Sequence, residues 1–212
     1  MAGIGVYNSY KFLPFSAKET FLPQNSLIKI IQEETKDGRI FGLGTANIKT
    51  DFATYFRFYD PQYYHPLYIK RYGELINYAN SGKLENILPR SDVEITNDLQ
   101  LQNNNSLQRR NRLFNLISVK YIVFKKSEFK KTDKNNIFWQ DKNWIISINK
   151  DSLLRAYLVN NYEVINNNKQ ILERLFNPSF DYRNTVILEK QPSLSINKPS
   201  TDTNKIEIKS YK

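Results

Sequence analysis

The sequence predicts an α+β domain: a mixed, mostly antiparallel sheet with several packed helices. Three observations point there. Short runs dense in β-branched and aromatic residues, above all Val119-Lys120-Tyr121-Ile122-Val123-Phe124, read as strands. Longer stretches such as 67–79 repeat apolar residues at helical spacing. The two kinds of element are interspersed without the regular β-α-β spacing of a parallel sheet.

Residues 1–24 read as an extended aromatic lead-in, with Tyr7, Tyr10, Phe12, Phe15 and Phe21 between the breakers Pro14 and Pro23. Such a segment must pack on something or expose an apolar patch. Asn25 or Ser26 caps a helix over 27–36 whose apolar face is Leu27, Ile28, Ile30 and Ile31, and Gly38 ends it. Residues 39–43 read as a short strand. Gly42 and Gly44 make no phosphate loop, because no GxGxxG or Walker spacing follows. Residues 53–58 read as a second extended aromatic run. Pro66 suits the first turn of a helix over 67–79 that stops near Gly82. Residues 83–106 are a polar connection.

Asn105 or Ser106 caps a basic helix reaching about residue 118. Leu107, Leu113, Phe114 and Ile117 share one of its faces, and Arg109, Arg110 and Arg112 lie mainly outside that face. The strand over 119–124 follows, then a charged loop. Ile137-Phe138-Trp139 and residues 144–148 flank Asp141-Lys142-Asn143 as a hairpin, with Trp139 facing Trp144. Residues 156–159 and 162–165 read as short strands around Asn160-Asn161. Asn167 starts a helix over 169–176, stopped before Pro178, and 185–189 is a further strand. Residues 191–204 are linker-like, and 205–209 alternate charged and apolar, as a strand does. The folded unit is therefore expected over 25–190, between the lead-in and a segment at 191–212 that holds a linker and the first strand of a further β module.

A chain of 212 residues suits one domain, and 40% hydrophobic residues suffice for a sizeable core. The net charge of +10 suggests anionic partners. Richness in Lys, Asn and Ile makes solvated lysine the simpler source of that charge, which disfavours nucleic acid. The absence of cysteine excludes disulfides, thiolate metal sites and a cysteine nucleophile. With a single histidine, a Zn or Cu site is not expected; no Asp-rich spacing supports Ca or Mg, and no cofactor is expected. No run approaches the roughly 20 apolar residues of a spanning helix. The first residues lack the basic region of a signal peptide, so neither a membrane span nor an export signal is expected.

The stretch 59–75 concentrates the residues suited to recognition. It holds His65, the only histidine, with five tyrosines, two prolines and a Lys-Arg pair. Asp60-Pro61 suits an Asx turn, and a carboxylate beside tyrosines also suits a sugar, whose hydroxyls donate and whose apolar face stacks on rings. Tyr59, Asp60, Tyr68, Arg71, Tyr72 and Glu74 are therefore the candidate ligand-binding residues, against the simpler reading of a turn, an aromatic core and an Arg-Glu pair. His65 between Asp60 and Glu74 is a general-base candidate only if the three converge; as a turn residue at a helix start it needs no such role. No catalytic residue is assigned. Arg109, Arg110 and Arg112, with Lys120, Lys125, Lys126, Lys130 and Lys131, form the densest positive stretch and are candidates for an anionic surface such as lipid phosphates.

Several phrases in fixed order carry a resemblance: KFLPFSAKETFLPQNSLIKIIQ, YDPQYYHPLYIKRYGEL, LFNLISVKYIVF, LLRAYLVNNYEVI and FNPSFDYRNTVILEK. From about Tyr10 to Glu189 the chain resembles the extracytoplasmic C-terminal region of YfhO-like bacterial membrane proteins, which are similar to GT-C glycosyltransferases. In that family YDPLYLKRYGEL, LLGVKYII and LPRAYLV phrases recur in this order. The resemblance implies a soluble domain on the extracytoplasmic face, attached to a membrane domain of the same or a neighbouring polypeptide and near a glycan or lipid-linked sugar. The family's catalytic acids belong to loops between membrane helices, so none is carried onto this chain, and the family's later β module would begin at 205–212. Leu154 stands where the family tends to have Pro, and Tyr63 to His65 depart from its plainer turn. The resemblance thus favours a non-catalytic outer domain, with a basic module for nucleic acid or anionic surfaces as the alternative.

Overall fold

The computed structural model describes residues 7, 25–49, 52–62, 67, 69–85, 94–99, 101, 103–129 and 136–193. The expected lead-in over 1–24, apart from Tyr7, and the linker and strand over 194–212 lie outside these residues. So do Tyr63, Tyr64, His65, Pro66 and Tyr68.

The described elements run α1 (Ser26–Glu34), β1 (Arg39–Gly42), a short 3-10 turn (Gly44–Ala46), α2 (Phe52–Phe56), α3 (Lys70–Ser81), α4 (Asn104–Leu116), β2 (Val119–Lys125), β3 (Ile137–Gln140), β4 (Trp144–Ile148), β5 (Asn161–Val164), α5 (Asn168–Phe176) and β6 (Thr185–Leu188). The main sheet has the order β1-β2-β4-β3. β1 joins β2 in parallel, while β2-β4 and β3-β4 are antiparallel. The α+β class with a mostly antiparallel main sheet is therefore the observed one. Among the described residues no helix is long and apolar enough to cross a membrane.

β2 lies between β1 and β4 and is buried on both faces. Its period-2 alternation sends Tyr121 and Val123 to one side, where Leu27 and Ile31 of α1 and Ala53 and Phe56 of α2 pack. Ile122 and Phe124 turn to the other side, against Ile76 and Ala79 of α3 and Leu113 and Phe114 of α4. The sheet is thus a middle layer with its core split in two. Phe41 in β1 meets Phe114 with ring centres 4.8 Å apart, which fixes α4 across the sheet. Gly42 allows the 3-10 turn to fold back onto β1: a Cβ there would lie 1.9 Å from the Ala46 carbonyl oxygen.

Local chemistry sets the element ends. Asn25, Asn103 and Asn167 each accept a backbone N–H of the first turn and so cap α1, α4 and α5. For α4 the cap is two or three residues earlier than the sequence suggests. Asp141 Oδ1 accepts the N–H groups of Asn143 and Trp144, each at 2.8 Å, and closes the β3-β4 hairpin.

Five local expectations are corrected. Residues 52–56 are helical and not extended: Ala53 and Phe56 are buried one turn apart, and the rings of Phe52 and Phe56 stack at 6.1 Å. α3 begins at Lys70 and not at 67, since Ile69 is extended and Leu67 stands 83% exposed. Residues 156–159 form no strand. Asn161 opens β5, which continues through α5 into the parallel partner β6, a β-α-β crossover. Trp139 opposes Ile146 and Trp144 opposes Lys125, so the two indoles are not a cross-strand pair; a register shift between Ile137 and Trp139 accounts for it. Arg110 lies on the buried face of α4, at the i+3, i+4 and i+7 spacing from Leu113, Phe114 and Ile117, and only 5% of it is exposed.

Candidate functional site

The corner built by residues 59–62 and α3 brings together five of the six candidate ligand residues; Tyr68 lies outside the described residues. The Tyr59 carbonyl accepts the Ile40 N–H at 2.8 Å, which lays this segment along the edge of β1. Asp60 makes the expected Asx turn, its Oδ1 accepting the Gln62 N–H at 2.7 Å. The Tyr72 hydroxyl donates to the Pro61 carbonyl at 2.7 Å and ties the turn to α3. Glu74 is buried and takes Arg71 at 3.3 Å; Arg71 also reaches Glu189 at 2.6 Å, beyond β6. The Arg155 guanidinium covers the Tyr59 ring at 3.9 Å.

These polar atoms thus hold the turn, α3 and the β5-β6 sheet to one another. Asp60 stands out. Burial pushes its carboxyl up to about 7, against the hydrogen bonds from Gln62, and among the described residues its Oδ2 has no hydrogen-bond partner. His65 lies outside the described residues, so the Asp60-His65-Glu74 set has no described geometry. Among the described residues no three His, Cys, Asp or Glu side chains gather as metal ligands.

The basic helix α4 leads to a different place. Its three arginines part company. Arg110 turns inward and donates to the carbonyls of Thr96 and Asp98, so it is no part of an anionic-surface site. Arg109 and Arg112, one turn apart on the opposite side, line an open cleft of about 480 Å³. The end of α3 supplies Tyr78 and Gly82 to its wall, and α5 with the segment after it supplies Glu173, Phe176, Pro178 and Tyr182. Asn105, Gln108, Asn111 and Asn115 of α4 complete it, an amide row along the same face as the arginines.

Both arginines are held in place. Arg109 Nε donates to the Ala79 carbonyl at 3.2 Å, and its Nη2 donates to Ser106 Oγ at 3.0 Å. Gly82, at φ +77°, caps α3 and lets the guanidinium lie against it, since a Cβ there would be 3.0 Å from Arg109 Cζ. Arg112 donates to the carbonyls of Leu175 and Phe180, and its plane lies 4.5 Å from the Tyr182 ring centre. Among the described residues neither arginine makes an ion pair; Glu173 in the same wall pairs with Lys169 at 3.8 Å. Burial and the nearby Arg174 hold Arg112 below its usual value, with Tyr182 acting the other way.

No family model, no curated protein and no solved structure matches this chain. The cleft is therefore read from its own chemistry. Concave sites with aromatic walls and a few convergent polar groups are where small ligands bind. Sequence reasoning found Arg109 and Arg112 but missed the amide row and the tyrosines that face it. The row was readable: Asn105, Gln108, Arg109, Arg112 and Asn115 recur at helical spacing. Tyr78 and Tyr182 were not, because only the packing of α3 and α5 on α4 brings them there.

Proposed function

We propose that this chain is a non-catalytic recognition domain that binds a saccharide in the cleft over α4. The observation that carries the reading is the lining itself: Tyr78, Phe176 and Tyr182 beside Gln108, Asn111 and two anchored arginines. Ring faces suit the apolar faces of sugars, and side-chain amides both donate to and accept from hydroxyls. A volume of about 480 Å³ accommodates one or two sugar units. The ordered phrases that resemble YfhO-like membrane proteins support placing this domain on the extracytoplasmic face, beside a membrane domain that performs the chemistry. Nucleic-acid binding is the weaker reading, because Arg110 is buried and Arg71, Arg174 and Arg183 are engaged in ion pairs, which leaves no continuous arginine stripe for a phosphate backbone among the described residues.

The test is a glycan array followed by nuclear magnetic resonance titration of the whole chain. Expected are shifts confined to Tyr78, Gln108, Asn111 and Tyr182, and their loss in a Gln108→Ala, Asn111→Ala double variant. Absence of any glycan signal, together with a gel shift of DNA or RNA that weakens steeply with salt, would replace this reading with the nucleic-acid one.

A further inference from the structure

We infer that the saccharide bound in this cleft is acidic: it carries a carboxylate or phosphate that sits between Arg109 and Arg112. The inference rests on the reading of the cleft as a sugar site and goes beyond it by naming the charge class of the ligand. Three features of the arginine pair carry it. The two side chains line one cavity from successive turns of α4. Each guanidinium is oriented by neutral acceptors only, Ala79 and Ser106 for Arg109, Leu175 and Phe180 for Arg112. Among the described residues no carboxylate makes an ion pair with either, and the acid in the same wall, Glu173, pairs with Lys169 at 3.8 Å.

Two half-buried cations elsewhere are matched with acids, Arg174 with Glu163 at 2.7 Å and Lys120 with Asp37, whereas the buried Arg110 is held, like the cleft pair, by backbone carbonyls. Unlike Arg110, the cleft arginines face an open cavity that a ligand can enter. Their orientation before binding also lowers the ordering cost of a ligand anion, and planar guanidinium groups suit the oxygens of carboxylate and phosphate alike. Glu173 in the same wall works against a fully anionic ligand. It favours one that places hydroxyls near Tyr78 and Glu173 and its single charge near the arginines.

The experiment compares four probes by calorimetry and by the Nε–H resonances of Arg109 and Arg112: glucose, glucuronic acid, glucose 6-phosphate and inorganic phosphate. Glucuronic acid, glucose 6-phosphate or both are expected to bind roughly tenfold tighter than glucose, with the preference shrinking in salt. The stronger of the two identifies the anion. The Arg109→Gln variant, which keeps a donor but removes the charge, is expected to abolish the preference for the acidic sugars over glucose. Equal affinity for glucose and the acidic sugars overturns the acidic-ligand inference and leaves the saccharide reading standing. Binding of phosphate alone, without any sugar, sustains the anion pair and sinks the saccharide reading. Silence from all four probes at both arginine resonances overturns the acidic-ligand inference.

Discussion

The Arg112 guanidinium lies over the Tyr182 ring, 4.5 Å from its centre, while its edge donates to the carbonyls of Leu175 and Phe180. One side chain thus ends α5, holds the turn that follows it and forms a wall of the cleft. Planarity is what makes this work, since a lysine ammonium cannot stack flat on the ring while it donates to both carbonyls. Arg112→Lys is therefore expected to lose about 1–2 kcal/mol in urea unfolding. Tyr182→Leu keeps the carbonyl bonds but loses the stacking and the Asn115 amide's hydrogen bond to the hydroxyl at 3.0 Å, and should cost about 1 kcal/mol. Equal stability of Arg112→Lys and the parent chain would show that the bridge contributes nothing.

Arg110 makes the opposite use of the same chemistry. Its head reaches the carbonyls of Thr96 and Asp98 from inside the domain and pins residues 94–99 to α4. Burial holds its guanidinium below the usual value, with Asp98 opposing. Arg110→Ala leaves a void and two unmatched carbonyls and should cost about 3 kcal/mol. Arg110→Met fills the space without the charge and should cost less, because removing a buried cation recovers its desolvation penalty. Chemical denaturation of both variants reads the order directly.

Gly82 couples the cap of α3 to the cleft. Gly82→Ala faces two penalties together, a left-handed φ of +77° and a Cβ placed 3.0 Å from Arg109 Cζ. A loss of about 1–2 kcal/mol is expected. Because the new methyl group displaces Arg109, the Nε–H resonance of Arg109 should shift while that of Arg112 stays in place. An unchanged Arg109 resonance would break the proposed link between the cap and the site.

Much of this architecture was legible where one short-range rule acted alone. The caps at Asn25 and Asn167, the turn at Asp141 and the alternation of β2 follow from local hydrogen bonding and from pleat geometry. Where two rules competed, the sequence misled. The aromatic run around Tyr55 favours strands by propensity, yet the spacing of Ala53 and Phe56 decides for a helix once both are buried. The apolar residues 156–159 favour a strand by propensity, but only the segment after Asn160 forms one, and β5 finds its parallel partner beyond α5. Arg110 looked like surface because it is charged; its spacing from Leu113 and Phe114 already placed it inside. The cleft was the least legible part, since its walls come from residues as far apart as Tyr78 and Tyr182 and meet only through packing.

Asp60 gives a pH signature that isolates the turn next to β1. Its folded carboxyl titrates at about 7, above its ordinary 3.8, because burial disfavours the charged form. Between those values the folded chain holds a proton that the unfolded chain has released. Stability from this group is therefore full below about pH 4, falls as pH rises through the window, and is flat above about 7. The full shift corresponds to at most about 4 kcal/mol, and water reaching the half-buried carboxyl reduces that. Asp60→Asn keeps the acceptor for the Gln62 N–H and cannot ionise, so its stability should show no such decline. Urea unfolding of both chains at pH 5, 6, 7 and 8 gives the difference curve. The parent should lose ground to Asp60→Asn steadily up to about pH 7 and then run parallel to it; a difference independent of pH would mean that Asp60 is ionised in the fold throughout.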